Sequence, residues 1–383
     1  MSSHYFPEVT ACSFRIASIV KHLTTIESVN VKLVNATYDK NVVAEKNQKF
    51  EHYIIYNNTG KRKNFILRFF YEFNVAIKCA KMCRLLKPDL IFLTTPFMAF
   101  VFVFMYFCHS ARGPWVHLDV RDLVWKYYSP TNGHLKAVIF KLLGVLIERS
   151  IKHYDSVSVT NELQRDYLLK ALNKESIVLS NGINREQAAK MHAVQTLKCM
   201  PDIIKICYVG NIGHAQEMSP LIELSYLRNV QIDLYGTGAQ LLKLQQEFEE
   251  KNITNIRIHG KVQNHRVHEI YAASDFVFIG IKDYIHTAIP SKVYECAMSG
   301  KPVLFSGGTS LKKYLSKFEN FFDVSEMLAD NVLQSEENLR RCLETMKELD
   351  LEKIRRNVIN NYLREDNTEL AIRKILSEVH RNA

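Results

Sequence analysis

Short apolar runs alternate with segments of helical periodicity along most of this chain. In the first half the candidate strands are "DLIFLTT" (Asp89–Thr95), "WVHLDV" (Trp115–Val120), "DSVSVT" (Asp155–Thr160) and "SIVLS" (Ser176–Ser180), with helical patterns over Leu135–Lys152 and Glu162–Leu172. The alternation restarts with "IKICYVG" (Ile204–Gly210), "QIDLYG" (Gln231–Gly236), "NIRIHG" (Asn255–Gly260), "DFVFIG" (Asp275–Gly280) and "KPVLFS" (Lys301–Ser306). Strands that are almost continuously apolar and separated by helices belong to parallel sheets covered on both faces. Two such series predict an α/β chain of two Rossmann-like, doubly wound domains. The polar stretch Arg185–Asp202 places the boundary, giving residues 1–195 and 196–383. After about Met327 the pattern is helical.

Length agrees, since 383 residues exceed one ordinary domain. With 47% hydrophobic and 23% charged residues the chain is globular, not disordered. Its eight cysteines form no CxxC pair or Cys/His cluster, which argues against a zinc site or disulfide framework. Nothing at the start reads as a secretory signal. The most apolar run, Phe97–Cys108, is too short to cross a bilayer, which takes about 20 residues, and reads as a buried helix.

Charge separates the halves. Residues 1–200 hold 27 Lys/Arg against 15 Asp/Glu, a net of +12, whereas the whole chain carries +10. Eight basic residues (Lys61, Arg62, Lys63, Arg68, Lys78, Lys81, Arg84, Lys87) and one acid, Glu72, fall within 61–87, interleaved with Phe65, Phe69, Phe70 and Phe73. A basic, aromatic helix suits an anionic membrane surface, at about 1 kcal/mol per basic residue. It equally suits a core-facing helix with a solvated basic back. No nucleic-acid motif accompanies the charge, so nucleic acid is not an expected partner.

Ligands of open parallel sheets bind beyond the carboxyl ends of strands, which selects five loops. In "IGIKDYIHTAIPSKVYECAMSGKPVLF", Ser291 suits an N-cap after Pro290, and a helix start favours an anion such as a diphosphate. Lys292 adds charge there, and Glu295 stands one turn in, able to accept from ribose hydroxyls. The alternative is an ordinary helix with solvent-facing Lys and Glu. In "YVGNIGHAQ", Gly210, Asn211 and Gly213 allow close backbone approach, and in "LYGTGAQ" Gly236 and Gly238 do the same or simply make a tight turn. Asp119, Arg121 and Asp122 in "HLDVRDLVW" suit either a polar cleft or a structural ion-pair network. Arg15, in "YFPEVTACSFR", is a bidentate phosphate ligand or a surface residue.

Together these segments resemble the two-Rossmann glycosyltransferases called GT-B, family 4, in the branch that builds bacterial capsule, O-antigen and colanic-acid-like polysaccharides. "HYFPEVTACSFR" is similar to "YFPPE…R", "DVRDLVW" to "RDLWP", "SNGIN" to "PNGVD" and "YVGNIGHAQ" to "SGNIGxAQ". "GTG", "HGKVQNHRVHEIYAASDF" and "PSKVYECAMSGKPVL" follow in family order, so the likeness covers about residues 4–310.

The resemblance implies an interdomain cleft, a nucleotide-sugar donor on the C-terminal domain and a lipid-linked saccharide acceptor on the N-terminal one. It implies a retaining hexosyl- or N-acetylhexosaminyl-type transferase with no metal or other cofactor, peripheral at the cytoplasmic membrane face. Glu295 falls on the second glutamate of the family's E-x7-E element, which holds the donor ribose, while the first falls on Thr287. The Arg/Lys pair that many members place on the diphosphate falls near Asn211 and Gln216, leaving Lys292 to replace it. The histidine that many members use in catalysis falls on Arg121, beside Asp122, and arginine stays protonated. An inactive GT-B scaffold and a GT-B nucleotide-sugar epimerase are the competing readings. Relatives also begin with an apolar strand where only Met1, Ser2, Ser3 and His4 precede Tyr5, so a natural start upstream is expected.

Overall fold

The computed structural model describes residues 11–37, 43–56, 65–94, 101, 103–104, 113–127, 134–194 and 200–382. The chain divides into two compact units, residues 1–181 with 364–383, and residues 182–363. The expected boundary at 195/196 is therefore corrected. The segment Arg185–His192 packs within the second unit, and the last helix returns to the first.

The first unit runs α1 (Ala11–Thr25), β1 (Val31–Thr37), β2 (Phe50–Tyr56), α2 (Phe65–Leu86), β3 (Leu90–Thr94), β4 (Trp115–Val120), α3 (His134–Ile151), β5 (Ser156–Val159), α4 (Glu162–Leu172) and β6 (Ile177–Val178). Strands β3-β4-β5-β6 form a parallel sheet in chain order, and β1 and β2 form a separate parallel pair with Val31 opposite Phe50. Strand alternation divides the core. Ile91 and Leu93 join one cluster with Val75, Cys79 and Ile147, from α2 and α3. Leu90 and Phe92 face the other cluster, which holds Ile16 of α1 and Ile372 of the last helix. Helices thus cover both faces, as a parallel sheet requires.

The second unit runs α5 (Arg185–His192), β7 (Ile204–Val209), α6 (Ser219–Leu224), β8 (Val230–Tyr235), α7 (Leu241–Glu250), β9 (Ile256–Gly260), α8 (Val267–Ala272), β10 (Phe276–Gly280), α9 (Val293–Ser299), β11 (Val303–Ser306), α10 (Thr309–Leu315), β12 (Phe321–Asp323), α11 (Val324–Met327), α12 (Val332–Glu348) and α13 (Leu351–Tyr362). The final helix, α14 (Arg364–Asn382), belongs to the first unit. All six strands are parallel in the order β12-β11-β10-β7-β8-β9, so the winding reverses between β7 and β10. That reversal is the switch point where such sheets bind ligands. Side-chain caps fix several helix starts: Asn161, Asn184, Asn331 and Asp350 each accept a backbone N–H two or three residues into the following helix.

The apolar-run reading finds the strands of both sheets apart from β12, to within one or two residues at most ends. It misses β1 and β2, whose polar residues break the apolar run, and β12, which is only three residues long. The expected upstream strand and the loop of Tyr5, Pro7 and Glu8 lie outside the described residues, as do Lys61, Arg62 and Lys63. Of the Phe97–Cys108 run, Val101, Val103 and Phe104 are described; Val101 and Phe104 are buried and Val103 partly so. Among the described residues no helix is long and apolar enough to cross a membrane.

A buried polar cluster ties the first unit together. Asp119 of β4 accepts from Arg15 of α1 through Nη2 at 2.6 Å and Nε at 3.0 Å, from Ser158 of β5 at 2.7 Å and from Thr94 of β3 at 3.0 Å. Arg15 also donates to the Leu179 carbonyl and to Asn181 Oδ1. Burial works against charge on Asp119, but Arg15 and Ser158 outweigh it and hold the carboxyl below the usual range. Removing one partner of such a pair costs about 3–5 kcal/mol, because a buried charge is left alone.

His117, two residues earlier, is fully buried between the Ser156 and Ser158 hydroxyls, at 2.8 and 3.0 Å. Burial pushes its imidazole down to about 4; Asp119 pulls the other way and Arg15 pushes with it. The unfolded chain takes a proton near pH ~6.5 that the folded state refuses until about pH 4. Stability should therefore fall as pH drops through that window, by up to about 3 kcal/mol. Urea unfolding at neutral and mildly acidic pH checks this. His117→Gln should flatten the dependence, and an unchanged slope would assign it to other groups.

Candidate functional site

In the second unit the loops beyond β7, β8 and β10 pack against one another through backbone. Gly210 N–H donates to the Tyr235 carbonyl at 2.8 Å, Ile212 N–H to Thr237 at 2.9 Å and Gln240 N–H to Ile212 at 3.0 Å. A Cβ on Gly236 would lie 1.7 Å from the Gly210 oxygen, and one on Gly238 2.2 Å from the Ile212 oxygen. On the other side of the switch point, a Cβ on Gly280 would lie 1.8 Å from the Glu217 oxygen, and Lys282 N–H donates to Ala215 at 3.0 Å. The β7 loop is thus held against the ends of both β8 and β10. Glycine is required here for close approach.

Within that loop the Tyr208 hydroxyl donates to the Asn211 carbonyl at 2.5 Å, and Gly213 N–H donates to Gln216 Oε1 at 3.0 Å. The side chains of Asn211 and Gln216, two neutral amides, lie 3.5 Å apart, and no cationic pair stands at these positions. Because the amides of Gly210, Ile212 and Gly213 bond within the protein, these glycines shape the loop and do not present those donors to an anion.

Lys292 and Glu295 complete the group. Lys292 holds the N-cap position of α9, and its side chain passes within 3.6 Å of the place a Gly210 Cβ would take. Its Nζ lies 3.7 Å from Glu295 Oε2. Glu295 is only 12% exposed, and Oε2, fully buried, has no hydrogen-bond partner. A buried carboxylate oxygen without a donor is costly unless something else supplies one. Ligand hydroxyls are suitable donors. Ser291 is corrected: it precedes the capping residue, and the start of α9 has no side-chain cap bond. Thr287 lies half-buried in the loop between β10 and α9.

The remaining site residues belong to the first unit. Arg15 is corrected from phosphate ligand to structural residue, since its guanidinium is 3% exposed and bound to Asp119. Of the charged triplet after β4, Asp119 is likewise structural. Arg121 and Asp122 follow it, where the Arg121 carbonyl accepts from Thr160 Oγ1 at 3.2 Å and Gln164 Nε2 at 3.1 Å. Asp122 is solvent-accessible yet densely surrounded, and desolvation pushes its carboxyl up to about 6 against the pull of Arg121 and Arg15.

Residues 219–377 match the model of the glycosyl transferase-like family. No curated protein matches the sequence. Among solved structures, sucrose-phosphate synthase from Thermosynechococcus elongatus superimposes with a TM-score of 0.74 at 13% identity, covering 97% of this chain and 94% of that one. The lipopolysaccharide outer core galactosyltransferase WaaB gives 0.60 at 13%, covering 96% and 97%. Starch synthase IV from Arabidopsis thaliana, solved with ADP and acarbose, gives 0.60 at 13%, covering 99% and 98%. The chain has the GT-B fold.

Within this GT-B chain, Glu295, Lys292, Gly210 and Gly236 meet at one sheet edge, while Arg121 and Asp122 stand on the other unit. Sequence reading missed Tyr208, Glu217 and Gly280, which brace the loops, and singled out Gln216 for its position in the resemblance, not for its bond to Gly213 N–H. Only Gly280, at a strand end, carried a signal. If Glu295 accepts from donor hydroxyls, Glu295→Ala should lower kcat/KM by about 1.5–3 kcal/mol of transition-state stabilisation. Kinetics of the folded variant measure this, and wild-type values would remove Glu295 from the site.

Proposed function

We propose that this chain is a retaining, metal-independent glycosyltransferase that moves a hexosyl or N-acetylhexosaminyl group from a nucleotide sugar to a lipid-linked saccharide. Its setting is bacterial surface-polysaccharide synthesis at the cytoplasmic membrane face. The observation that carries the reading is the buried, donorless Oε2 of Glu295 beside Lys292 at the switch point of the second sheet. Support comes from the glycosyl transferase-like match over 219–377 and from similar solved structures, one a lipopolysaccharide galactosyltransferase and one bound to ADP. The basic N-terminal half favours an anionic membrane and a diphosphate-bearing acceptor.

In this reading Glu295 accepts from the ribose hydroxyls and Lys292 neutralises the diphosphate. The acceptor oxygen bonds to the sugar's anomeric carbon on the face from which the diphosphate oxygen leaves. The acceptor's proton passes to that leaving oxygen, so no side-chain base is required. Arg121, always charged, stabilises developing negative charge, and Asp122 orients it or the acceptor.

Thermal melting with UDP-, GDP- and dTDP-sugars tests the donor part. A donor at about 100 times its Kd adds about 2.7 kcal/mol to the stability of the native state, and the shift should shrink in Glu295→Ala. Transfer from that donor to a membrane lipid extract should persist in EDTA. No shift with any nucleotide sugar would overturn the proposal. Conversion of the donor without acceptor would make the protein an epimerase, and binding without turnover a scaffold, the outcome to which the neutral Asn211–Gln216 pair gives weight.

A further inference from the structure

Helix α3 turns an apolar stripe to solvent. Val138, Leu142, Val145 and Leu146 are 55%, 62%, 43% and 48% exposed. Their spacing puts them on one face, with Lys141 and Arg149, both exposed, on the same face. The opposite face is the buried one, through Ile147 and Ile151. Helix α2 shares that core cluster through Val75, Cys79 and Cys83, so both helices cover the same face of the sheet. Its outward side carries Phe70, 65% exposed, together with the exposed Lys78 and Lys81.

The sequence of the two helices is predominantly basic. Over their full lengths α2 and α3 contain Arg68, Lys78, Lys81, Arg84, Lys136, Lys141 and Arg149 against two acids, Glu72 and Glu148. Glu148 is turned to Lys126 at 2.8 Å and to the Tyr167 hydroxyl at 2.6 Å. Four large aliphatic side chains in a row gain nothing from water, and a stripe of this kind marks an interaction surface. Apolar residues flanked by Lys and Arg, without an exposed acid among the described side chains of the two helices, match an anionic bilayer: alkyl groups enter the acyl boundary while cations meet the headgroups.

We propose that the first unit docks on an anionic lipid bilayer through the outward face of α3, with α2 beside it. This deepens the membrane-facing part of the proposed function and assigns it mainly to Val138–Arg149, a segment whose basic residues lie beyond the 61–87 cluster. The helix layer on the other sheet face, α1 and α14, takes no part.

The test is co-sedimentation of the whole chain with phosphatidylcholine vesicles and with phosphatidylcholine–phosphatidylglycerol vesicles. Binding should require phosphatidylglycerol and weaken with salt. Leu142→Ser with Leu146→Ser should reduce it by about tenfold per residue, and Lys141→Gln with Arg149→Gln by about fivefold per residue. Leu370→Ser on α14, whose side chain is also exposed, should leave it unchanged. Equal loss in Leu370→Ser, or none in the α3 variants, overturns the proposal. So does a dimer that the leucine variants dissociate without any vesicle binding, which would make the stripe a contact between copies. Donor-induced thermal shifts in the same variants keep the two readings apart: intact shifts with absent vesicle binding refute the docking surface alone.

Discussion

Gly236 stands where no side chain fits, because the carbonyl oxygen of Gly210 occupies the position a Cβ would need. That contact between two backbones sets the geometry of the second unit at its switch point. It lets the loop after β7 close onto the end of β8, while Gly280 admits the same loop to the end of β10. With the loop held on both sides, Lys292 can cross Gly210 and stand beside Glu295. A sheet whose winding reverses between β7 and β10 opens a gap at that place, and the glycines decide how close the lining can come.

The first unit uses its polar residues differently. Asp119 gathers α1, β3 and β5 around β4 through Arg15, Thr94 and Ser158. The charged triplet in "HLDVRD" therefore divides within four residues. The strand residue Asp119 is buried and structural, whereas Arg121 and Asp122 lie past the strand end. The partition follows from the pleat, which turns Asp119 to the face covered by α1, and from the end of the ladder at Val120.

Periodicity made the parallel strands legible because burial on both faces demands near-continuous apolar runs such as "CYV" and "FVFI". It failed for β1 and β2, where Lys32, Asn35, Glu51 and His52 interrupt the run, and Asn35 and His52 are nonetheless buried. Asn161 caps the helix that follows it, its side chain accepting from Gln164 N–H. Ser291 suits a cap by sequence and does not cap, since Pro290 and the turn after it shift the first helical residue to Val293.

By itself the sequence determined the class of sheet, the number of units and the segment that bears Lys292 and Glu295, since these depend on local spacing and on which residues avoid water. Only the tertiary structure decided that Arg15 answers Asp119 across more than a hundred residues. It alone returned α14 to the first unit, where Ala371, Ile372 and Ile375 fill the core beside α1. It alone left Oε2 of Glu295 buried without a donor. The reason is common to all three: partner choice and desolvation depend on what the fold brings near, and no periodicity in the chain encodes that distance.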